Sequence, residues 1–268
     1  AGCGRFHGVS DAGGGGGQGV LVNADDRGGV NTNGKPSLLT LDAGAQITRS
    51  NLTWASGIGQ PATVTFAFRG EQPGTGTSPG TMPTDTAGFS SFTALQISQT
   101  LLALASWSDV ANITFTRVRE AGTEFSSSAT ILFGNYSSGA DGAAAFAYLP
   151  GSAGSLSAAA FGAVQGDVWI NNSLSYNATP TNLLYGQQVL THEIGHAIGL
   201  SHPGVYNAGA GVSISYSANA VYFEDSRQYS LMSYFSETFT GGNHRVGSTQ
   251  YYSCLLYTSP SPRDYCAH

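Results

Sequence analysis

A chain of 268 residues has room for one large domain, and a hydrophobic content of 41% is enough to fill its core. Charged residues make up only 10%, the net charge is −6 and Lys35 is the only lysine, so no basic stripe exists to neutralise phosphates and nucleic acid is excluded as a partner. No run approaches the roughly 20 apolar residues of a membrane span, and Cys3, Cys254 and Cys266 sit near the two ends, where they build no disulfide framework.

Residues 1–34 are rich in glycine, with Gly13 to Gly17 in one run, and read as a flexible leader or propeptide remnant. Residues 35–253 carry the periodic patterns of a folded domain. Helical spacing starts near Ser37, and Pro61 to Arg69 alternates with Val64, Phe66 and Phe68 on one face, as a half-buried strand does. Pro73, Pro79 and Pro83 mark a long loop over 70–88. A helix is predicted from Ser90 to Asp109, its apolar stripe formed by Ile97, Leu101 and Leu104 and widened by Leu95 and Leu102. Strands are predicted at Ile113 to Thr116, Thr130 to Phe133, Ala143 to Leu149 and Asp167 to Ile170. A second helix starts at Leu184, followed by a long irregular stretch. This order predicts an α+β fold, a twisted sheet backed by helices with the last portion as a separate lower lobe. From Cys254 to the end, two cysteines and two prolines break the preceding composition; the segment 254–268 resembles translated adapter sequence and is expected to be foreign to the fold.

The second predicted helix carries the chemistry. His192 and His196 are four residues apart, so on a helix they differ by about 40° and one turn, and both imidazoles can reach one ion. Gly199 can take a positive φ, end the helix and let the chain bring His202 to the same point. Three neutral nitrogens plus an open position make a catalytic zinc site rather than a closed structural one. Glu193 lies beside the metal, where its carboxylate can take a proton from activated water and pass it to a leaving amine. The five-residue His-Glu-x-x-His pattern alone arises by chance in roughly 1 in 100 chains of this length, but adding Gly199 and His202 lowers that several-hundredfold. His7 and Cys3, the candidate ligands of the leader, stand in glycine with no fixed approach and are expected not to bind.

The string from His192 to His202 resembles the metzincin signature HExxHxxGxxH. Met232, in Ser230-Leu231-Met232-Ser233-Tyr234, resembles the turn methionine that lies beneath the metal in that clan. Within the clan the chain is similar to the serralysins: Thr191 to Gly204 resembles their zinc helix, Tyr206-Asn207-Ala208-Gly209 continues the likeness, and Glu224 to Glu237 resembles their approach to the turn. Gly134 to Ser138 and Ala144, with Phe146 to Pro150, add to the resemblance, which covers about 33–252.

The resemblance implies a metzincin-like catalytic domain, with a mostly parallel twisted sheet, an antiparallel edge strand, backing helices, a zinc helix and an irregular lower lobe. It implies a secreted, extracellular, monomeric metalloendopeptidase that acts on proteins or peptides with one catalytic Zn2+. It also implies that Tyr234 binds the metal and swings aside to hydrogen-bond the oxyanion. Ala143 to Leu149 suits an edge strand that a peptide joins through backbone hydrogen bonds, at Ala144, Phe146 and Ala147; an interior strand is the alternative. Two features depart from the family: Val205 stands where an acidic residue is usual, and its closing helix and calcium-binding repeats do not appear in this sequence. Ca2+ is therefore expected only in that missing domain. A zinc-binding but catalytically incompetent remnant is the alternative function.

Overall fold

The computed structural model describes residues 27–29, 34–74, 82–83, 85–150, 164–181, 184–209 and 211–242. The tail 254–268, most of the leader, His7 and the three cysteines lie outside the described residues. Of the leader, Arg27 is buried, its guanidinium 4.9 Å from the Tyr229 ring centroid, and the exposed Gly28 N–H donates to Ser37 Oγ at 3.0 Å.

The five-stranded sheet runs β3 (Ile113–Arg117), β1 (Ala62–Phe68), β4 (Ile131–Tyr136), β7 (Val168–Asn171), β6 (Ala145–Ala147). The first four are parallel, and β6 closes one edge antiparallel to β7. This is the mixed sheet expected of the fold class. Val64, Phe66 and Phe68 alternate into the core as the sequence predicts, but Ala67 is buried too, because β1 is an interior strand covered on both faces at its end. β2 (Thr86–Ala87) and β5 (Ser138–Gly139) form a separate antiparallel ribbon just ahead of β6.

The helix α1 (Thr40–Ile47) starts three residues later than expected, since Ser37 and Leu38 instead donate to the Glu224 carboxylate of the lower lobe. Helix α2 (Ala94–Val110) likewise starts at Ala94 rather than Ser90, because Ser90 is held in a β-bridge to Asn135. Thr93 caps it in a reciprocal box with Gln96, which satisfies two of the free donors at the helix start.

The buried face of α2 corrects the sequence reading. Leu95, Leu101 and Leu102 are exposed, whereas Gln96, Thr100, Ala103, Leu104, Trp107 and Val110 are buried. Gln96 tolerates burial because its amide exchanges hydrogen bonds with the Asn135 amide at 2.9 and 3.1 Å and donates to Asn177 O at 3.0 Å. Hydrophobic periodicity cannot register such a pair.

After β7 come the short α3 (Ser175–Ala178) and then α4 (Tyr185–Ala197), which is buried over most of its length. Leu104 and Trp107 of α2, Leu190 and Ile194 of α4, and Phe66, Phe68, Phe133 and Ile170 of the sheet share one core. Trp107 Nε1 donates to Thr191 O at 2.9 Å and Trp54 Nε1 to Ala197 O at 2.8 Å, so two indoles fix the height of α4. Beyond α4 the described chain has only α5 (Tyr216–Asn219) and a 3-10 turn at Glu237–Thr240, the irregular lower lobe that was expected.

Behind the sheet, Arg69 Nη2 donates to Asp167 Oδ2 at 2.7 Å, with both side chains almost wholly buried. Removing one partner strands a charge in the interior. Asp167→Asn should therefore lower unfolding stability by about 3–5 kcal/mol, while the paired change Arg69→Met with Asp167→Leu should cost less, as read by chemical denaturation.

Candidate metal centre

Helix α4 places His192 and His196 one turn apart on the same side. The helix stops at Ile198, and Gly199 takes φ +115° beside Leu52, where a Cβ would collide with the Leu52 carbonyl. Only glycine meets both conditions. The chain then reverses. Ser201 N–H donates to Ile47 O at 2.7 Å, and the Arg49 guanidinium donates to the carbonyls of His202 and Gly204, the latter at 3.0 Å. His202 is thereby swung back over α4.

The three rings meet at their Nε2 atoms: His202 Nε2 lies 3.2 Å from that of His192 and 3.0 Å from that of His196. Each Nδ1 faces a backbone carbonyl, Leu231 O at 2.9 Å for His192, Leu200 O at 2.7 Å for His196 and Tyr206 O at 2.8 Å for His202. A carbonyl only accepts, so each Nδ1 carries the proton and each Nε2 presents a lone pair. Three lone pairs facing one another cannot hydrogen-bond among themselves, and a cation at their meeting point would satisfy all three. Nitrogens bound to a tetrahedral zinc at 2.0–2.1 Å sit roughly 3.3 Å apart, close to the spacing found here.

Burial holds all three rings in the neutral form a metal needs. It lowers His196 to about 4 and His202 to about 3, with the facing His196 adding to the effect at His202, and it takes His192 well below its usual range. Glu193 lines the same cleft, a cavity of about 240 Å³ bounded also by His192, Tyr234, Val189 and Ala143 to Ala145. Burial pushes its carboxyl up to about 8; a cation at the three nitrogens would lower it again. Tyr234 is half-buried, its ring 4.3 Å from that of His202 and 5.8 Å from that of His192. Burial first, and then the Glu193 charge, raise its phenol to about 12.

Met232 is buried beneath α4. A Cβ on Gly195 would strike its sulfur and crowd Trp107, so the glycine between the two helical histidines lets this turn approach closely. The preceding residue, Leu231, supplies the carbonyl that orients His192.

Residues 90–222 match the family described as Matrixin. Serralysin C of Dickeya chrysanthemi is 45% identical over 231 residues, which cover 84% of this chain and 44% of that protein. Metallopeptidase AprA of Pseudomonas marginalis is 44% identical over 233 residues, 85% of this chain and 45% of that protein. Serralysin A of Dickeya chrysanthemi is 42% identical over 230 residues. The chain belongs to the serralysin-type metzincins. It spans less than half the length of the curated relatives it matches.

In this serralysin-type chain, the stretch expected as an edge strand over Ala143 to Leu149 lies at the sheet edge and is shorter, Ala145–Ala147. Asn171 N–H donates to Ala144 O and Tyr148 N–H to Asp167 O, both at 3.0 Å. With Phe146 opposite Trp169, antiparallel alternation directs the backbone of Ala144, Phe146 and Tyr148 toward β7. Ala145 and Ala147 face outward instead. Of the three residues singled out from sequence, only Ala147 has its backbone turned away from β7. The strand begins at Ala145 because Ala143 O is already taken by the Tyr136 hydroxyl at 2.6 Å and by Asn171 Nδ2 at 3.0 Å.

The sequence gives no role to Arg49, Gly195 or Tyr206, which act on the ligands through backbone, by ring stacking or by leaving room. After chelator treatment, the chain should rebind zinc at one ion per chain, and His202→Ala should lose that uptake. Gly195→Ala should keep all three ligands but destabilise the fold by about 1–3 kcal/mol through overpacking against Met232, as measured by thermal unfolding.

Proposed function

We propose that this chain is a secreted zinc metalloendopeptidase. The observation that carries the reading is the convergence of three unprotonated imidazole nitrogens beside the buried Glu193 carboxyl in an open cleft. His192, His196 and His202 would hold the ion, and the Tyr234 phenol would be the candidate for a further ligand. When bound, zinc supplies Lewis acidity toward a water molecule and toward the scissile carbonyl.

The chain's own groups do the rest. Glu193, with its carboxylate beside the ligands, takes the proton of the attacking water and delivers it to the amine nitrogen as the peptide bond breaks. Tyr234, turned away from the metal, donates its hydroxyl to the carbonyl oxygen as that atom gains negative charge. Ala145 and Ala147 offer outward N–H and C=O groups on an edge strand that bounds the same cleft, so an extended peptide adds as a further strand. Ligands, base and tyrosine all come from one chain, which supports action as a monomer. No described helix is long and apolar enough to cross a membrane. The extracellular location rests on the family resemblance and the charge-poor composition.

Casein cleavage by the zinc-loaded chain tests the reading. Glu193→Ala should keep its zinc and lower turnover at least ~10²-fold. Tyr234→Phe should cost up to ~10²–10³-fold, as the loss of an oxyanion donor does. Near-normal turnover in the Glu193 variant would remove the mechanism.

A further inference from the structure

Asp225 belongs neither to the ligand set nor to the cleft, yet it is fully buried between the two loops that frame the metal centre. Its Oδ1 accepts two hydrogen bonds, from the Tyr206 hydroxyl at 2.8 Å and from Ser233 Oγ at 2.7 Å. Tyr206 orients the third ligand twice over. Its carbonyl takes the His202 Nδ1 proton, and its ring stacks on that imidazole at 5.3 Å and 12°. Ser233 stands between Met232 and Tyr234, and its oxygen also accepts Phe235 N–H at 3.1 Å. One carboxylate oxygen thus joins the loop of the third histidine to the turn that carries the tyrosine.

We infer that Asp225 is a positioning residue that locks the His202 loop and the Tyr234 turn into one unit. The inference rests on the metal-centre reading above. The chemistry narrows the residue type. Two buried hydroxyls both donate to one oxygen, so that oxygen must carry no proton of its own, as in a carboxylate or a side-chain amide. Arg49, whose charge also reaches Asp225, grips the same loop from its other side through the carbonyls of His202 and Gly204. The turn backbone beneath Tyr234 then cannot shift without pulling on the ring stacked against His202. Movement of the Tyr234 phenol is confined to its own side-chain torsions.

The test uses the full chain loaded with cobalt(II) in place of zinc, whose visible absorption reports ligand geometry without substrate. Tyr206→Phe keeps the stacked ring and removes only the hydroxyl; Ser233→Ala removes the other donor. Each should shift the cobalt spectrum and lower kcat ~10-fold on a casein-derived peptide, with KM changed less than about twofold. The double variant should lose no more than either single one, because both act through the same tie. Asp225→Ala should cost ~10–100-fold, and Asp225→Asn, which keeps the accepting oxygen, should recover most of the loss. If Asp225→Ala does not fold, Tyr206→Phe decides. An unaltered spectrum and kcat in Tyr206→Phe overturn the proposal, and so does a double variant whose losses simply multiply. A wild-type chain that binds cobalt yet cleaves nothing would sink the peptidase reading, and the spectra would still decide the role of Asp225.

Discussion

The centre depends on three backbone carbonyls. Leu200, Tyr206 and Leu231 each accept one imidazole Nδ1–H, and that contact decides which face of each histidine turns to the metal. A neutral imidazole has a single proton, so fixing it at one nitrogen exposes the other as a lone pair. The carbonyls come from three different places: the turn just after α4, the loop that follows His202, and the turn before Met232. Much of the surrounding architecture holds those three points at the right separation. Trp54 and Trp107 set the helix, Gly199 makes the reversal possible, Arg49 grips the returning loop, and Gly195 lets the methionine turn come close beneath. Losing an outer partner of this kind commonly costs about 10–100-fold in metal affinity or activity.

What was legible in the sequence follows from this division. The three histidines and Glu193 fall within eleven consecutive residues, so helix periodicity and one glycine were enough to bring them together on paper. The sheet was legible as a class: the order of apolar runs and helical stretches points to a twisted sheet backed by helices, and the family resemblance supplies its mostly parallel sense. Strand order was not, since nothing local states that β1 lies between β3 and β4.

The misreadings have one cause, which is polar pairing at a distance. The face of α2 was misassigned because Gln96 finds Asn135 thirty-nine residues away and so goes inward in place of a leucine. Arg49 serves His202 across 153 residues and Ser37 serves Glu224 across 187, both through contacts that leave no periodic mark. The register of the edge strand, which the sequence left open, has the same origin. Ala143 to Ala147 are almost uniform in composition, so the pattern carried no register, and Tyr136, Asn171 and Asn177 set it by capturing the carbonyls of Ala143 and Ala144.

That capture limits what the edge can distinguish. With Ala143 and Ala144 already engaged by their own domain, a peptide added in the proposed way meets only two outward-facing residues of β6, both alanine. Their amide and carbonyl groups are the same whatever side chains a visiting peptide carries, so the grip is blind to sequence and short enough to leave the rest of the peptide unconstrained. It discriminates in one respect only: proline has no N–H to give and fixes its φ, so a peptide that places proline opposite either alanine forfeits a rung of the ladder. Under the strand addition proposed above, such an edge makes for a generalist by default, and any narrower taste must come from the walls of the cleft.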